Sequence, residues 1–291
     1  MPYYGMIIVS VFMFGGCFAL NDVYRKMRGS SLKISLESSS VGALAGLVIL
    51  LLLNGFQFEF TWFTLLMAFC ASLVGIGFTF CTFKALDVIN LSLFSLFSML
   101  GGMTLPFMQG ILFYGEHGQI LAKIVCFACI CAALALTVTK SNERKKSATI
   151  YYIGIFVLNG MSGVLSKIFT SSPLEKTSAA GYSIWIAICT VVLAGGLWLF
   201  FFRNRGEKSP QMWKSAGVAA ANGAINRIAN YLLVIALLRV DASVQYPLVT
   251  GGVMIVSTLL CYFGEKKPTK KEWLSVLIAF VGMLALFAIP I

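Results

Sequence analysis

Charge is what this chain has least of. Only 11% of its 291 residues are charged and 59% are hydrophobic, with a mean hydropathy of +0.89. A soluble domain carries about a quarter charged residues, so the composition is that of a polytopic membrane protein. Acids are the scarcer sign, at 11 residues. Asp22, Glu59, Asp87, Glu116, Glu143, Glu175, Glu207, Asp241, Glu265 and Glu272 all lie at the ends of apolar runs or between them, and Glu37 lies just inside one, beside a basic connection. No carboxylate reaches the middle of an apolar run, where many cation carriers place one. The single histidine, His117, belongs to a loop, GEHG. No His, Cys and carboxylate constellation falls at one depth, which argues against an enzyme. No GxxxxGK[ST] motif is present, so ATP-driven work by this chain is unsupported. The eight cysteines all sit within apolar runs, and the CxxC at Cys126 and Cys129 has no His or carboxylate beside it. They read as small hydrophobes, with no metal and no cofactor expected.

What is abundant is apolar length. Runs of roughly 20 residues, enough to cross a bilayer, recur at 3–22, 34–54, 60–83, 90–113, 119–139, 149–168, 179–202, 212–237, 242–263 and 271–290. The first lacks a basic segment before it and passes straight into RKMRG, so it reads as a membrane helix rather than a cleaved leader. The net charge of +11 comes from the connections. Of the 22 Lys and Arg, 17 fall at odd-numbered connections, four (Lys123, Lys167, Lys176 and Arg239) at even ones, and the last is Arg227. Such a bias reflects membrane orientation rather than nucleic-acid binding. It predicts odd connections in the cytoplasm and both termini outside, in the cell's inner membrane.

The two halves of the chain parallel each other. KALDVINLSLFSLFSMLGGMTLPFMQGILFYGEHG (84–118) and IALLRVDASVQYPLVTGGVMIVSTLLCYFGEKK (235–267) each hold an Ala-Leu pair, a short polar turn, a Gly-Gly and a closing Gly-Glu. With five spans per half, the second copy enters the membrane in the opposite direction, an inverted repeat. The expected organisation is residues 1–140 as one five-helix repeat, 141–149 (SNERKKSAT) as a cytoplasmic linker, and 150–291 as the second repeat. The fold class is therefore all-α, with ten transmembrane helices as a 5+5 inverted repeat.

These landmarks, in this order, make the chain resemble the EamA-like drug/metabolite transporters along essentially its whole length. The second half is also similar to small multidrug resistance proteins, in YPLVTGGVMIVSTLLCYFGEKK (246–267) and IGIFVLNGMSGVLSKI (153–168). The resemblance implies a central cavity lined mainly by the first, third, fourth, sixth, eighth and ninth spans, and alternating access by rocking of the repeats. It also marks a departure. The small multidrug resistance proteins carry a glutamate eight residues before a lysine, and the matching position before Lys167 is Asn159. An amide neither titrates near neutral pH nor offers a countercharge.

Few polar residues fall at mid-depth. Asn159 is central in its span, with Ser162 and Ser166 on the same face. Asn226 and Arg227 are central in 212–237, and Asn222 and Asn230 extend the Asn226 face one turn each way. A central arginine costs about 2.5–3.5 kcal/mol on insertion scales and keeps its proton. It caps carbonyl or asparagine oxygens of neighbouring helices, or faces a cavity and recruits an anion through its planar fork, or snorkels to the interface, which is hard from a helix centre. Gln245, Tyr246 and Pro247 lie in the outer third of their span, as Pro106 and Gln109 do in theirs. A proline lacks the helical N–H, so Pro106 and Pro247 are candidate hinges or merely tolerated kinks. Ser92, Ser95 and Ser98 are expected to bond back to helix carbonyls, and the Gly pairs at 15–16, 101–102 and 251–252 to allow close packing.

The function expected is a secondary carrier of a small metabolite with a carboxylate, such as an amino acid. Its site would be Arg227, Asn159, Asn226, Asn222, Asn230, Ser162, Gln245 and Tyr246. The partners would be that small molecule and the lipid bilayer, with no nucleic acid, and a homodimer is open. The alternative within transport is export of neutral or cationic amphipathic drugs, separable by proton flux. A non-transporting scaffold or receptor is the alternative of another class, against which the short connections argue.

Overall fold

The computed structural model describes residues 2–114, 125, 128–129, 131–133, 135–136, 143–202, 212–237, 239–240, 242–264 and 266–288. Within them the chain is all-α: α1 (Pro2–Arg28), α2 (Leu32–Leu53), α3 (Trp62–Val88), α4 (Leu91–Tyr114), α5 (Glu143–Ser171), α6 (Ala179–Phe202), α7 (Met212–Leu237), α8 (Ala242–Leu260) and α9 (Lys270–Ala288). A 3-10 turn, Cys261–Phe263, follows α8. The run at 119–139 lies mostly outside the described residues, and those described in it are helical. Among the described residues six helices are long and apolar enough to cross a membrane: α1, α2, α3, α4 through Phe113, α5 from Thr149, and α6. Their outward residues, Phe12, Leu52, Leu66, Leu112, Val192 and Phe200 among them, are the large apolar side chains that lipid contact requires.

Two helices outrun the apolar runs that announce them. α1 continues through Arg25, Lys26 and Arg28, and α5 begins at Glu143. The segment expected as a linker at 141–149 is therefore helical from Glu143 onward. Run length marks only the stretch fit for hydrocarbon, whereas Lys, Arg and Glu are good helix formers that prolong a helix into the polar boundary.

Packing is interleaved along the chain. α1 lies against α7 and α8, α2 against α6 and α7, α3 against α5 and α6, α4 against α5 and α8, and α9 against α8. Ser10 on α1 shows how far these contacts reach, since its hydroxyl donates to the Ala229 carbonyl of α7 at 3.1 Å. Glycines let several pairs approach. Gly101 meets the Phe156 backbone, and Gly102 meets Asn159. Gly15 faces Val256, Gly252 faces Val11, and Gly251 faces Phe280. Gly16 alone of the three expected pairs has open space beside it.

The helix ends sort into two levels. At the basic end, Arg25 of α1 bridges Asp22 at 2.8 Å and Asp87 of α3 at 2.5 Å. Arg28 pairs with Glu37 of α2 at 2.7 Å. Lys266, after α8, donates to the Asp87 carbonyl at 2.7 Å, a cation on the negative end of α3. Burial pushes the Lys266 ammonium below its ordinary value, aided by Arg25 and opposed by Asp22 and Asp87. Asn90 caps α4, its Oδ1 accepting from Leu93 N at 2.9 Å while its Nδ2 donates to Glu272 of α9 at 2.7 Å. Glu272 also accepts from Thr269 N and Thr269 Oγ1 from Glu272 N, a reciprocal capping box. Asn90→Ala removes both the cap and a buried bond to a carboxylate. It is expected to cost about 2–3 kcal/mol, read as a fall in the thermal unfolding midpoint in detergent; an unchanged midpoint would refute the assignment.

Candidate functional site

The middle of α7 presents the least expected chemistry, and its seam with α2 explains how it is held. Gly223 of α7 lies directly against the Gly42 carbonyl of α2, with no side chain between the backbones. One turn along, Gly46 of α2 faces Arg227. A Cβ at Gly46 would lie 2.9 Å from the Arg227 Cγ and 3.3 Å from its Nε. The stem of the arginine thus runs across bare α2 backbone. Gly42 and Gly46 form a small-xxx-small pair, GALAG, of the kind that brings membrane helices together. That spacing is legible in the sequence, yet attention to polar residues passes over it.

Arg227 is half-buried and keeps accessible surface. Among the described residues it donates to no carbonyl, asparagine or carboxylate, and it makes no ion pair. The asparagines that share its helix are engaged elsewhere. Asn222 Nδ2 donates to Asn21 Oδ1 of α1 at 2.9 Å, and the Asn222 carbonyl takes the Cys17 thiol at 3.6 Å. The Asn222 Oδ1 is buried without a partner among the described residues. Asn230 Nδ2 donates to both the carbonyl and Oδ1 of Asn226, at 2.8 and 3.1 Å, and Asn230 itself is exposed.

Asn159 stands apart from this group. Its Nδ2 donates to the Ser98 carbonyl at 2.6 Å and rests over Gly102, tying α5 to α4. Ser162 is exposed one turn on, and its carbonyl accepts from Ser166 Oγ at 3.0 Å. Gln245 is fully buried and ties α8 to α7, its Nε2 donating to the Leu233 carbonyl at 2.9 Å. The Tyr246 and Pro247 side chains lie outside the described residues, although both positions belong to α8. Pro106 sits inside an unbroken α4, and Gly163 of α5 leaves room for its ring. The serine row of α4 divides in use. Ser95 Oγ bonds back to the Ser92 carbonyl, Ser92 Oγ meets Thr258 Oγ1 of α8 at 2.8 Å, and Ser98 Oγ is buried without a partner.

The expected site residues therefore fall into two sets. Arg227 and Asn226 keep accessible surface on α7, beside the exposed Asn230, whereas Asn159, Gln245 and Asn222 spend an amide on a neighbouring helix. Among the described residues no hydrogen bond joins the α5 set to Arg227. Chemically, the α7 set offers a permanent cation with a bidentate fork, and no acid beside it among the described residues.

No protein-family model matches this chain, and no curated protein matches it. Solved structures do match. One, described as "Crystal structure of protein", covers 96% of this chain and 97% of its own, with a TM-score of 0.59 and 15% identity. At that identity the likeness shows that the two chains share a fold along nearly their whole lengths.

Proposed function

We propose that the chain is a secondary membrane carrier of the EamA-like drug/metabolite kind, moving a small metabolite with a carboxylate through a central site. The observation that carries the reading is Arg227, half-buried at mid-helix with accessible surface and no acceptor among the described residues. A cation so placed is costly unless something anionic visits it. The asparagine at 159, in place of an acid, leaves nothing there to attract a cation.

The packing supports a 5+5 inverted repeat. Exchanging α1, α2, α3 and α4 for α5, α6, α7 and α8 maps the main helix contacts onto themselves: α1 on α7 becomes α5 on α3, and α1 on α8 becomes α5 on α4. Single contacts follow the same exchange. Asn159 over Gly102 and Gly163 over Pro106 correspond to Val11 over Gly252 and Gly15 over Val256. In this reading α9 and the run at 119–139 are the fifth members of each half, and the basic end is cytoplasmic. Rocking of the halves about the site would give alternating access.

A thermal-shift screen of the purified protein tests the substrate class. Small carboxylates, amino acids included, are compared with their neutral primary amides. A ligand at a hundred times its Kd adds about 2.7 kcal/mol to stability, so a carboxylate that binds raises the unfolding midpoint and its amide does not. Equal shifts for acid and amide, or shifts with organic cations alone, would count against the proposal.

A further inference from the structure

We infer that residues 56–62, between α2 and α3, form an interfacial lipid anchor at the end opposite the basic one. Its rings sit at the boundary between headgroups and acyl chains. The inference rests on the shape of this segment and stands whether or not the chain is a carrier.

The segment FQFEFTW alternates as an extended strand does. Phe58, Phe60 and Trp62 point outward with 57%, 47% and 77% of their surface exposed, and Phe56 joins them at 67%. Glu59 and Thr61 between them point inward. Thr61 Oγ1 accepts from Thr64 N and caps α3. Glu59 is the segment's one charge, and it is turned away from the rings. Its Oε2 accepts from Ser178 N at the start of α6, and its carbonyl accepts from Trp185 Nε1 at 2.8 Å. The outward side is thus four aromatic rings and Gln57, without charge.

The row is held firmly. Phe58 and Phe60 lie 5.1 and 5.4 Å from the Trp185 ring of α6, and Phe60 lies 5.2 Å from Trp62. The chain reaches this path through two successive left-handed residues, Gly55 (φ 60°) and Phe56 (φ 58°). A phenylalanine there is a backbone outlier, and such strain persists only where surroundings over-determine it.

Depth identifies what covers the rings. Trp62 precedes Lys84 on α3 by 22 positions, an axial rise of about 33 Å. The hydrocarbon core of a bilayer is about 30 Å thick. With Lys84 at the basic boundary, Trp62 falls at the other boundary, where amphipathic aromatic rings collect. The bilayer interface, rather than water or another protein, is therefore the occupant.

The test uses full-length protein in vesicles of phosphatidylcholine brominated either near the headgroup end of the acyl chain or near its methyl end. Subtracting the fluorescence of Trp62→Phe from that of the wild type isolates Trp62. The expected result is several-fold stronger quenching by the shallow bromines than by the deep ones, with little quenching by aqueous acrylamide. A Trp62 signal insensitive to both lipids, quenched more by the deep one, or open to acrylamide overturns the inference. Phe56→Trp in the Trp62→Phe background places a second reporter at the far end of the row. It should give the same depth order, and a signal open to acrylamide there would equally overturn it.

Discussion

Replacing Arg227 with leucine is expected to weaken carboxylate binding roughly ten- to a hundred-fold, since a hydrogen bond to a charged group contributes about 1.5–3 kcal/mol. The same substitution is expected to raise the unfolding midpoint of the ligand-free protein. Its guanidinium meets no acceptor among the described residues, so leucine removes a half-buried cation without stranding any described partner. The two shifts have opposite signs, and that opposition is the diagnostic. Had Arg227 been a structural strut, its loss would strand buried acceptors and destabilise the fold by about 3–5 kcal/mol. Arg227→Lys keeps the charge but loses the planar fork, so its affinity should fall between the two. Binding titrations and thermal unfolding on the same detergent preparations measure both quantities. A leucine variant with unchanged affinity would sink the anion site, and one that unfolds earlier would turn Arg227 into a structural residue.

Gly223→Ala should be the most damaging small substitution in the α2–α7 seam. The added methyl would occupy the place of the Gly42 carbonyl oxygen, and a helix carbonyl cannot swing aside. The helices must then part, at a cost of about 1–3 kcal/mol or more. Binding should fall with stability, because the same seam sets where the arginine stem rests. Gly42→Ala meets its nearest atom, the Ala219 carbonyl oxygen, at 3.2 Å and should cost much less. Gly46→Ala presses on the Arg227 Cγ at 2.9 Å, an atom of the arginine stem rather than its free end. It should lower stability less than Gly223→Ala does, while altering affinity by shifting the arginine stem. Gly16→Ala has no atom within 4 Å and should be neutral or slightly stabilising, as alanine is the better helix former. Residual folded protein after a heat step, scored by size-exclusion profile, ranks the series. Equal damage from Gly16→Ala and Gly223→Ala would refute this account of the seam.

How far the sequence could be read depended on the kind of information each feature needs. Helices announce themselves through apolar length, which is local, and α7 runs over the stretch that its composition marks, 212–237. Their polar ends do not, because a charged turn can continue a helix or leave it, and α1 and α5 continue. The place of Arg227 near the middle of α7 was legible, since position along a helix is counted directly. The partners of the asparagines were not. Asn159 and Gln245 look alike in sequence to residues that face a cavity, and only the neighbouring helix decides that Ser98 and Leu233 take their amides. The Gly42–Gly46 seam sits between these cases. Its spacing was visible, but nothing in α2 reveals that an arginine will lie across it.

The interleaving of the helices also has a consequence in time. The chain emerges from the ribosome at about 5–20 residues per second, and Ser10 is separated from Ala229 by 219 positions. Between the insertion of α1 and the arrival of α7, roughly 10–45 s must pass. During that interval α1 waits among lipids without α7 and α8. Its glycine at 15 lacks Val256, and its Ser10 hydroxyl has only the Met6 carbonyl of its own helix to bond. Only its contacts with α2, α3 and α4, such as Arg28 with Glu37, Arg25 with Asp87 and Phe18 with Phe94, are available during this wait. The α1 face shaped for α7 and α8 therefore has to be tolerated in the bilayer before it is packed.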